Sequence, residues 1–213
     1  MMHIHVGVAD DPNPYVVPKE VLCRHIQCFR SALSSNFIEG QTGVLRFPED
    51  SKEAWSLLLY YVFQDRIPPW DDDAIKMKHD TYVLTLVYVY ELGDKYGVGR
   101  FQNKIMDWML QDFGGLRLRY AADFWISMFR ITGKNHPLRK FILQEMVSSV
   151  ELHEYSKWSA YEELFQIDGV YLNILDELRV LRNTEEDSTA NYPSHNYGQA
   201  TDKVLEEFYV EEE

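Results

Sequence analysis

The sequence is poor in three features that would each assign it to a class of protein: cysteine, positive charge and long apolar runs. Two cysteines in 213 residues argue against the disulfide framework of a small secreted domain. Lysine and arginine total 21 against 34 aspartates and glutamates, and the resulting net charge of -13 repels nucleic-acid phosphates and anionic membrane surfaces. The longest apolar stretch, VLTLVYVY, falls far short of the ~20 residues that a membrane span needs. With no leader pattern at its start, we expect an intracellular protein, nuclear or cytoplasmic.

The motifs of phosphate binding are also incomplete. ELGDKYGVGRFQN, residues 91–103, supplies two glycines of G-x-G-x-x-G, but a glutamine takes the third position and a helical pattern precedes the loop. The G-K-[ST] ending of a Walker loop is missing as well. We therefore expect an elbow between two helices, in which Gly97 takes the left-handed conformation and Gly99 opens the next helix. Tyr96 and Phe101 are expected to pack beside this bend.

No catalytic, cofactor or metal site follows from the residues. HIH near the start places two imidazoles on one strand face, but two ligands do not make a metal site. In CRHIQC, Cys23 and Cys28 are expected in one helix, where five residues separate them by about 140° around the axis. Asp71 and Asp73 fall in a polar turn, and no G-x-S-x-G elbow occurs. We expect no enzymatic activity and no cofactor.

Periodicity predicts an α+β fold at the front of the chain. The alternation in MHIHVGV and the run YVV predict strands, a helical face follows from Pro18 onwards, and VLRF predicts a third strand. A helix is expected to begin at Asp50, which has capping-box spacing to Glu53. Two more helices are predicted on either side of the glycine elbow. Strands at the front with helices afterwards indicate an α+β domain over residues 1–113.

Downstream the pattern is helical only, which predicts an all-helical extension over residues 114–182. Its segments are YAADFWISMF, PLRKFILQEMVSSV and YLNILDELRVL. From residue 183 the composition changes to Thr, Glu, Asp, Ser and Asn with almost nothing to bury, so residues 183–213 are expected to form a disordered acidic tail. Its last residues, VLEEFYVEEE, could instead fold on a partner.

Several local strings resemble the BTB/POZ domain, most closely its fungal members. The similar strings are YVVPKEVLCRHIQCFRSAL, NFIEGQTGVLRFPED, EAWSLLLYYVFQDRI and VYELGDKYGVGRFQNKIMD. They lie within residues 4–113. A looser similarity in ITGKNHPLRKFILQEMV, through Thr132, Leu138 and Arg139, extends the resemblance to about residue 180.

The resemblance implies a BTB/POZ-like fold of short strands and helical hairpins, and a non-enzymatic role in protein association. The implied roles are homo- or hetero-oligomerisation, a transcription-linked scaffold, or an adaptor of a cullin-type ubiquitin ligase. In such adaptors a hydrophobic-x-Glu element before the third strand contacts the cullin, and Phe37-Ile38-Glu39 fits that pattern. Phe37 and Glu39 are thus the expected partner contacts. The alternative is that Phe37 fills the domain's own core.

The sequence departs from the family pattern in ways that leave its assembly open. Pro18-Lys19 stands where many members have His-Lys, and Gly93 stands where alanine is usual. The first strand comes almost at the start of the sequence, so the helix that many family dimers swap is not seen. A different class of function also stays open: an enzyme or small-ligand-binding domain with a pocket between the two helical parts, which a deep polar cleft would favour.

Overall fold

A computed structural model describes residues 1–7, 13–33, 37–69, 78–115, 120–134, 136–151, 157–186 and 208–211. The chain divides into two compact units, Met1–Ile105 with Glu211–Glu213, and Met106–Val210. The sequence predicts a domain boundary between residues 113 and 114, whereas the chain divides between Ile105 and Met106. Both positions lie within one helix, Gly99–Gly115, and the assignment of domains stays a prediction. No helix in the described part of the chain is long and apolar enough to cross a membrane.

The expected short strands form one three-stranded sheet in the first unit, in the order β2-β1-β3. These strands are β1 (Met2–Val6), β2 (Tyr15–Val17) and β3 (Val44–Phe47). β1 pairs antiparallel with β2 and parallel with β3. Ile4 and Val6 are buried while His3 is exposed, as the alternation of MHIHVGV predicts. Together with the helices, this sheet confirms the α+β class.

Helices make up most of the rest of the first unit, and their apolar faces form its core. They are α1 (Lys19–His25), α2 (Gln27–Ala32), α3 (Ile38–Thr42), α4 (Lys52–Gln64), α5 (His79–Tyr96) and the first part of α6 (Gly99–Gly115). The largest fully buried side chains here include Trp55, Tyr82, Tyr90 and Phe101. The expected helical faces in α4 and α5 therefore point into the core.

The glycine elbow has the conformation that the sequence predicts. Gly97 follows α5 with φ 66°, and α6 begins at Gly99. The Val98 N–H donates to the Gly93 carbonyl at 2.8 Å and the Gly97 N–H to the Asp94 carbonyl at 3.1 Å, which satisfies carbonyls at the end of α5. The string that most resembled a phosphate loop is a helix-to-helix turn.

Two local predictions were wrong. The single helix expected from Pro18 is two helices, because Ile26 is extended (φ -126°, ψ 103°) between α1 and α2. Cys23 and Cys28 therefore lie on different helices, and the angle of about 140° does not apply to them. Helix α4 is capped by Ser51 rather than Asp50: its Oγ accepts from the Ala54 N–H at 3.2 Å.

The elements described in the second unit are all helices. It contains the rest of α6, then α7 (Ala122–Ile131), α8 (Pro137–Glu151), a 3₁₀ helix (Trp158–Gln166) and α9 (Val170–Glu186). Its buried side chains include Trp125, Phe129, Phe141, Leu164 and Ile174. Pro137 stands at the first position of α8, where its missing N–H is tolerated.

Residues expected in the disordered tail are described only in part. Residues 183–186 continue α9, and residues 208–211 are described at the other end, where Phe208 is fully buried. The remaining tail residues, 187–207 and 212–213, lie outside the described part, as do Asp71 and Asp73 in the first unit.

Candidate functional site

Phe37 and Ile38 lie on the surface of the first unit, at the start of α3. Their side chains are 53% and 70% exposed. Phe37 is extended (φ -103°, ψ 150°) and immediately precedes the helix, whereas Glu39, in the first turn, is partly buried. The alternative that Phe37 fills the core is therefore excluded. We call Phe37-Ile38-Glu39 the Phe37 turn.

The Phe37 turn is held at the sheet by the residues that end α3. Gly43, with φ 69°, donates its N–H to the Glu39 carbonyl at 2.9 Å and accepts the His3 N–H at 2.8 Å. The Thr42 hydroxyl donates to the Ile38 carbonyl at 2.8 Å. A Cβ at Gly43 would lie 3.3 Å from the Met1 carbonyl oxygen, in a conformation that L side chains rarely adopt. The turn is thus tied to β1 and β3.

Asp50 is a buried polar side chain whose tertiary contacts the sequence reasoning missed. Its side chain is only 6% exposed, and it accepts hydrogen bonds from Lys95 Nζ at 2.7 Å, the Tyr96 hydroxyl at 2.6 Å and Trp55 Nε1 at 2.9 Å. Burial raises the pKa of this carboxyl, but the three donors together outweigh burial and hold the pKa below its ordinary value. Asp50 is therefore ionised at neutral pH.

Four aromatic rings form one cluster that includes Trp55 and Tyr96, two of the donors to Asp50. The Phe47 and Trp55 rings stack with centroids 4.7 Å apart, and the Tyr96 ring lies 5.5 Å from each. Phe29 completes the group at 5.4 Å from Tyr96. The cluster joins α2, β3, α4 and the end of α5, so Asp50 and its donors stabilise the elbow.

A small cavity of about 170 Å³ lies beside Asp50, and Tyr88, Glu91 and Lys95 are among its lining residues. Burial, and secondarily the charge of Asp94, raises the pKa of Glu91 to about 7. A carboxyl that titrates near neutrality occurs at catalytic sites, but structural networks produce the same shift. The cavity is smaller than the roughly 300–1,000 Å³ typical of ligand sites.

The second unit has a larger cavity, of about 440 Å³, lined by Lys134, His136 and residues of α8 and α9. Arg139 contributes to its wall, but its guanidinium donates to the Thr132 and Asp168 carbonyls at 2.8 Å each. Arg139 therefore joins the end of α7 to the start of α9. Lysine, arginine, aspartate and glutamate side chains all line this cavity, so its charge selects no class of ligand.

Comparison with known proteins gives no family or function for this chain, so any function has to be inferred from its residues. No family model and no curated protein matches the chain.

The other sequence candidates are not brought together. His3 is exposed and His5 is partly buried on β1, while Cys23 and Cys28 are free thiols. Among the described residues, no group of three or more His, Cys, Asp or Glu side chains lies close enough to hold a metal ion. Sequence reasoning used Asp50 only as a helix cap. Its partner Lys95 lies 45 residues further along the chain, and no local pattern connects the two residues.

Proposed function

We propose that this chain is a non-enzymatic interaction module of the BTB/POZ type, and that the Phe37 turn contacts a protein partner. The order of elements supports the proposal: a strand pair, two short helices, a surface turn before β3, and then helical hairpins around a glycine elbow. The strings that resemble the family lie in these elements.

The observation that carries the proposal is the exposure of two adjacent apolar side chains on a turn whose backbone is fixed. Phe37 and Ile38 are both more than half exposed. An exposed aromatic on an ordered backbone loses little conformational freedom when it enters a partner's pocket, because its position is already set. Aromatic anchors of this kind often supply much of the free energy of binding.

The partner that we propose first is a cullin-type scaffold, because Phe37-Ile38-Glu39 has the hydrophobic-x-Glu order. Glu39 would add a directional charge beside the aromatic anchor. The net charge of -13 favours partners with a basic surface through long-range attraction. Homotypic assembly and a transcription-linked scaffold are the other forms of association that the same module could serve.

The test measures binding of a purified cullin to the chain and to single variants by calorimetry. If Phe37 is a central anchor, Phe37→Ala should lose at least ~2 kcal/mol of binding free energy, which is about 30-fold in Kd. Glu39→Ala should weaken binding less and mainly at low salt, because a charge at the rim of an interface acts over a distance that salt shortens.

Phe63→Ala is the matched control, because Phe63 in α4 is 52% exposed and Phe37 is 53% exposed. The control should leave the Kd unchanged. If Phe37→Ala and Glu39→Ala both bind the cullin like the unmodified chain, the Phe37 turn is not the contact. If the unmodified chain does not bind a cullin at all, the adaptor role is wrong, and light scattering then tests homotypic association.

A further inference from the structure

Phe208 and Tyr209 occupy a specific site on the second unit, although the sequence around them reads as an acidic tail. The Phe208 side chain is fully buried, with its ring 5.8 Å from the Phe141 ring of α8 in an edge-to-face arrangement. The Tyr209 hydroxyl donates to Asp107 Oδ1 of α6 at 2.6 Å. We call the surface formed by Asp107 and Phe141 the Phe208 socket.

The socket combines the two features of a short-peptide recognition site. Phe141 offers an apolar wall to a buried aromatic ring, and Asp107 offers a charged acceptor to the neighbouring hydroxyl. Burial, reinforced by the bond to Asp107, raises the pKa of the Tyr209 hydroxyl, so it remains a donor at physiological pH. The Phe208 socket thus contacts the adjacent Phe and Tyr side chains in two different ways.

The connection between α9 and this pair is long. Residues 187–207 intervene, which is 21 residues, and a chain of that length can span at most about 70 Å. Because the pair and the socket belong to one chain, the pair competes for the socket intramolecularly. We take its effective concentration to be on the order of 1 mM.

We propose that the Phe208 socket is a peptide-binding site that the chain's own Phe208-Tyr209 pair occupies as a built-in competitor. Its external ligand is a peptide with adjacent Phe and Tyr residues, and the chain's own segment VLEEFYVEEE (residues 204–213) serves as the probe. A partner peptide binds by displacing the tethered pair. This inference concerns the second unit and does not depend on the Phe37 turn.

The experiment uses the full chain with a site-specific protease sequence inserted between Gly198 and Gln199. The chain is purified folded, cut at that site and passed over a sizing column to remove the released fragment. Binding of a fluorescent VLEEFYVEEE peptide is then followed by anisotropy, with the uncut chain in parallel. Circular dichroism checks that the cut protein keeps its helices.

We expect the cut chain to bind the peptide with a Kd on the order of 100 µM. For that Kd, the uncut chain should bind about tenfold more weakly, because its own pair competes at ~1 mM. A peptide with alanine at the Phe208 position should bind the cut chain at least about tenfold more weakly than the original peptide. A peptide with phenylalanine at the Tyr209 position should bind about tenfold more weakly, because it cannot donate a hydrogen bond to Asp107.

Two results would overturn the proposal. In one, the fragment cannot be removed without loss of helical signal, which makes Phe208 a permanent part of the core. In the other, the folded cut chain ignores the peptide at 1 mM or binds all three peptides equally. Asp107→Asn in the cut chain should weaken the original peptide but not the Tyr→Phe peptide, and equal effects on both would also count against the assigned contact.

Discussion

Removal of the Asp50 carboxylate is the sharpest test of how the first unit is held together. In Asp50→Ala, Trp55 Nε1 and the Tyr96 hydroxyl lose their acceptor while their side chains stay 0% and 6% exposed. Each buried donor without a partner costs about 1–3 kcal/mol. Lys95 is half exposed and regains water, so its ion pair adds only about 1 kcal/mol or less. The two buried donors and the ion pair together give an expected loss in free energy of unfolding of about 2–7 kcal/mol.

The assay is urea unfolding followed by far-ultraviolet circular dichroism, with linear extrapolation to water. Hydrogen exchange in peptides from β3 and α4 assigns the loss to the first unit. The control is Arg100→Ala, which breaks an ion pair with Asp65 whose side chains are both more than half exposed. That variant should change stability by less than about 0.5 kcal/mol. If Asp50→Ala and Arg100→Ala differ by less than about 1 kcal/mol, the structural role assigned to Asp50 is wrong.

The same site makes a pH dependence with a defined sign. Because the pKa of Asp50 is lower in the folded chain than in the unfolded chain, its contribution to stability is present above the unfolded value. That contribution is lost as the pH falls from about 4 through the folded pKa. Asp50→Asn should flatten this acid limb of the stability curve. If Asp50→Asn leaves the acid limb of the stability curve unchanged, other carboxyl groups account for the loss of stability at low pH.

Two further predictions concern α5. Glu91, with a folded pKa of about 7 against an ordinary value of 4.5, favours the folded state at low pH and loses that contribution as the pH rises to 7. Tm should therefore fall between pH 5 and 8, and Glu91→Gln should reduce the fall; equal slopes would refute the shift. A Cβ at Gly93 would lie 2.8 Å from Gln102 Cγ, so Gly93→Ala should destabilise by about 1–3 kcal/mol despite alanine's better helix propensity. Combining it with Gln102→Ala should recover most of that loss, and additive losses in urea unfolding would contradict the clash.

The sequence predicted those parts of the fold that depend on local periodicity and on special backbone conformations. Alternation located β1, and helical spacing located α4 to α9. The left-handed conformation at Gly97 followed from the need to end one helix and begin another. These features are set by residues within one or two turns of each other, which is why one sequence was sufficient to predict them.

The features that sequence reasoning missed depend on contacts between distant residues. Ile26 looked like one more residue of a helical face, yet its burial in an extended conformation separates α1 from α2. Asp50 had capping-box spacing, but the donors at Lys95 and Tyr96 bind it, and Ser51 takes the cap. In both cases tertiary contacts decided between local alternatives of similar free energy.

The Phe37 turn was located from resemblance, but its physical suitability for binding depends on its attachment to the sheet. A five-residue helix such as α3 is too short to be stable alone, because the nucleation of one turn is unfavourable. Its conformation is instead imposed through Gly43, which bonds to the end of α3 on one side and to the His3 N–H on the other. The free energy that orders the turn comes from folding of the sheet. Association through Phe37 would then require little further ordering, and more of the contact free energy would remain for affinity.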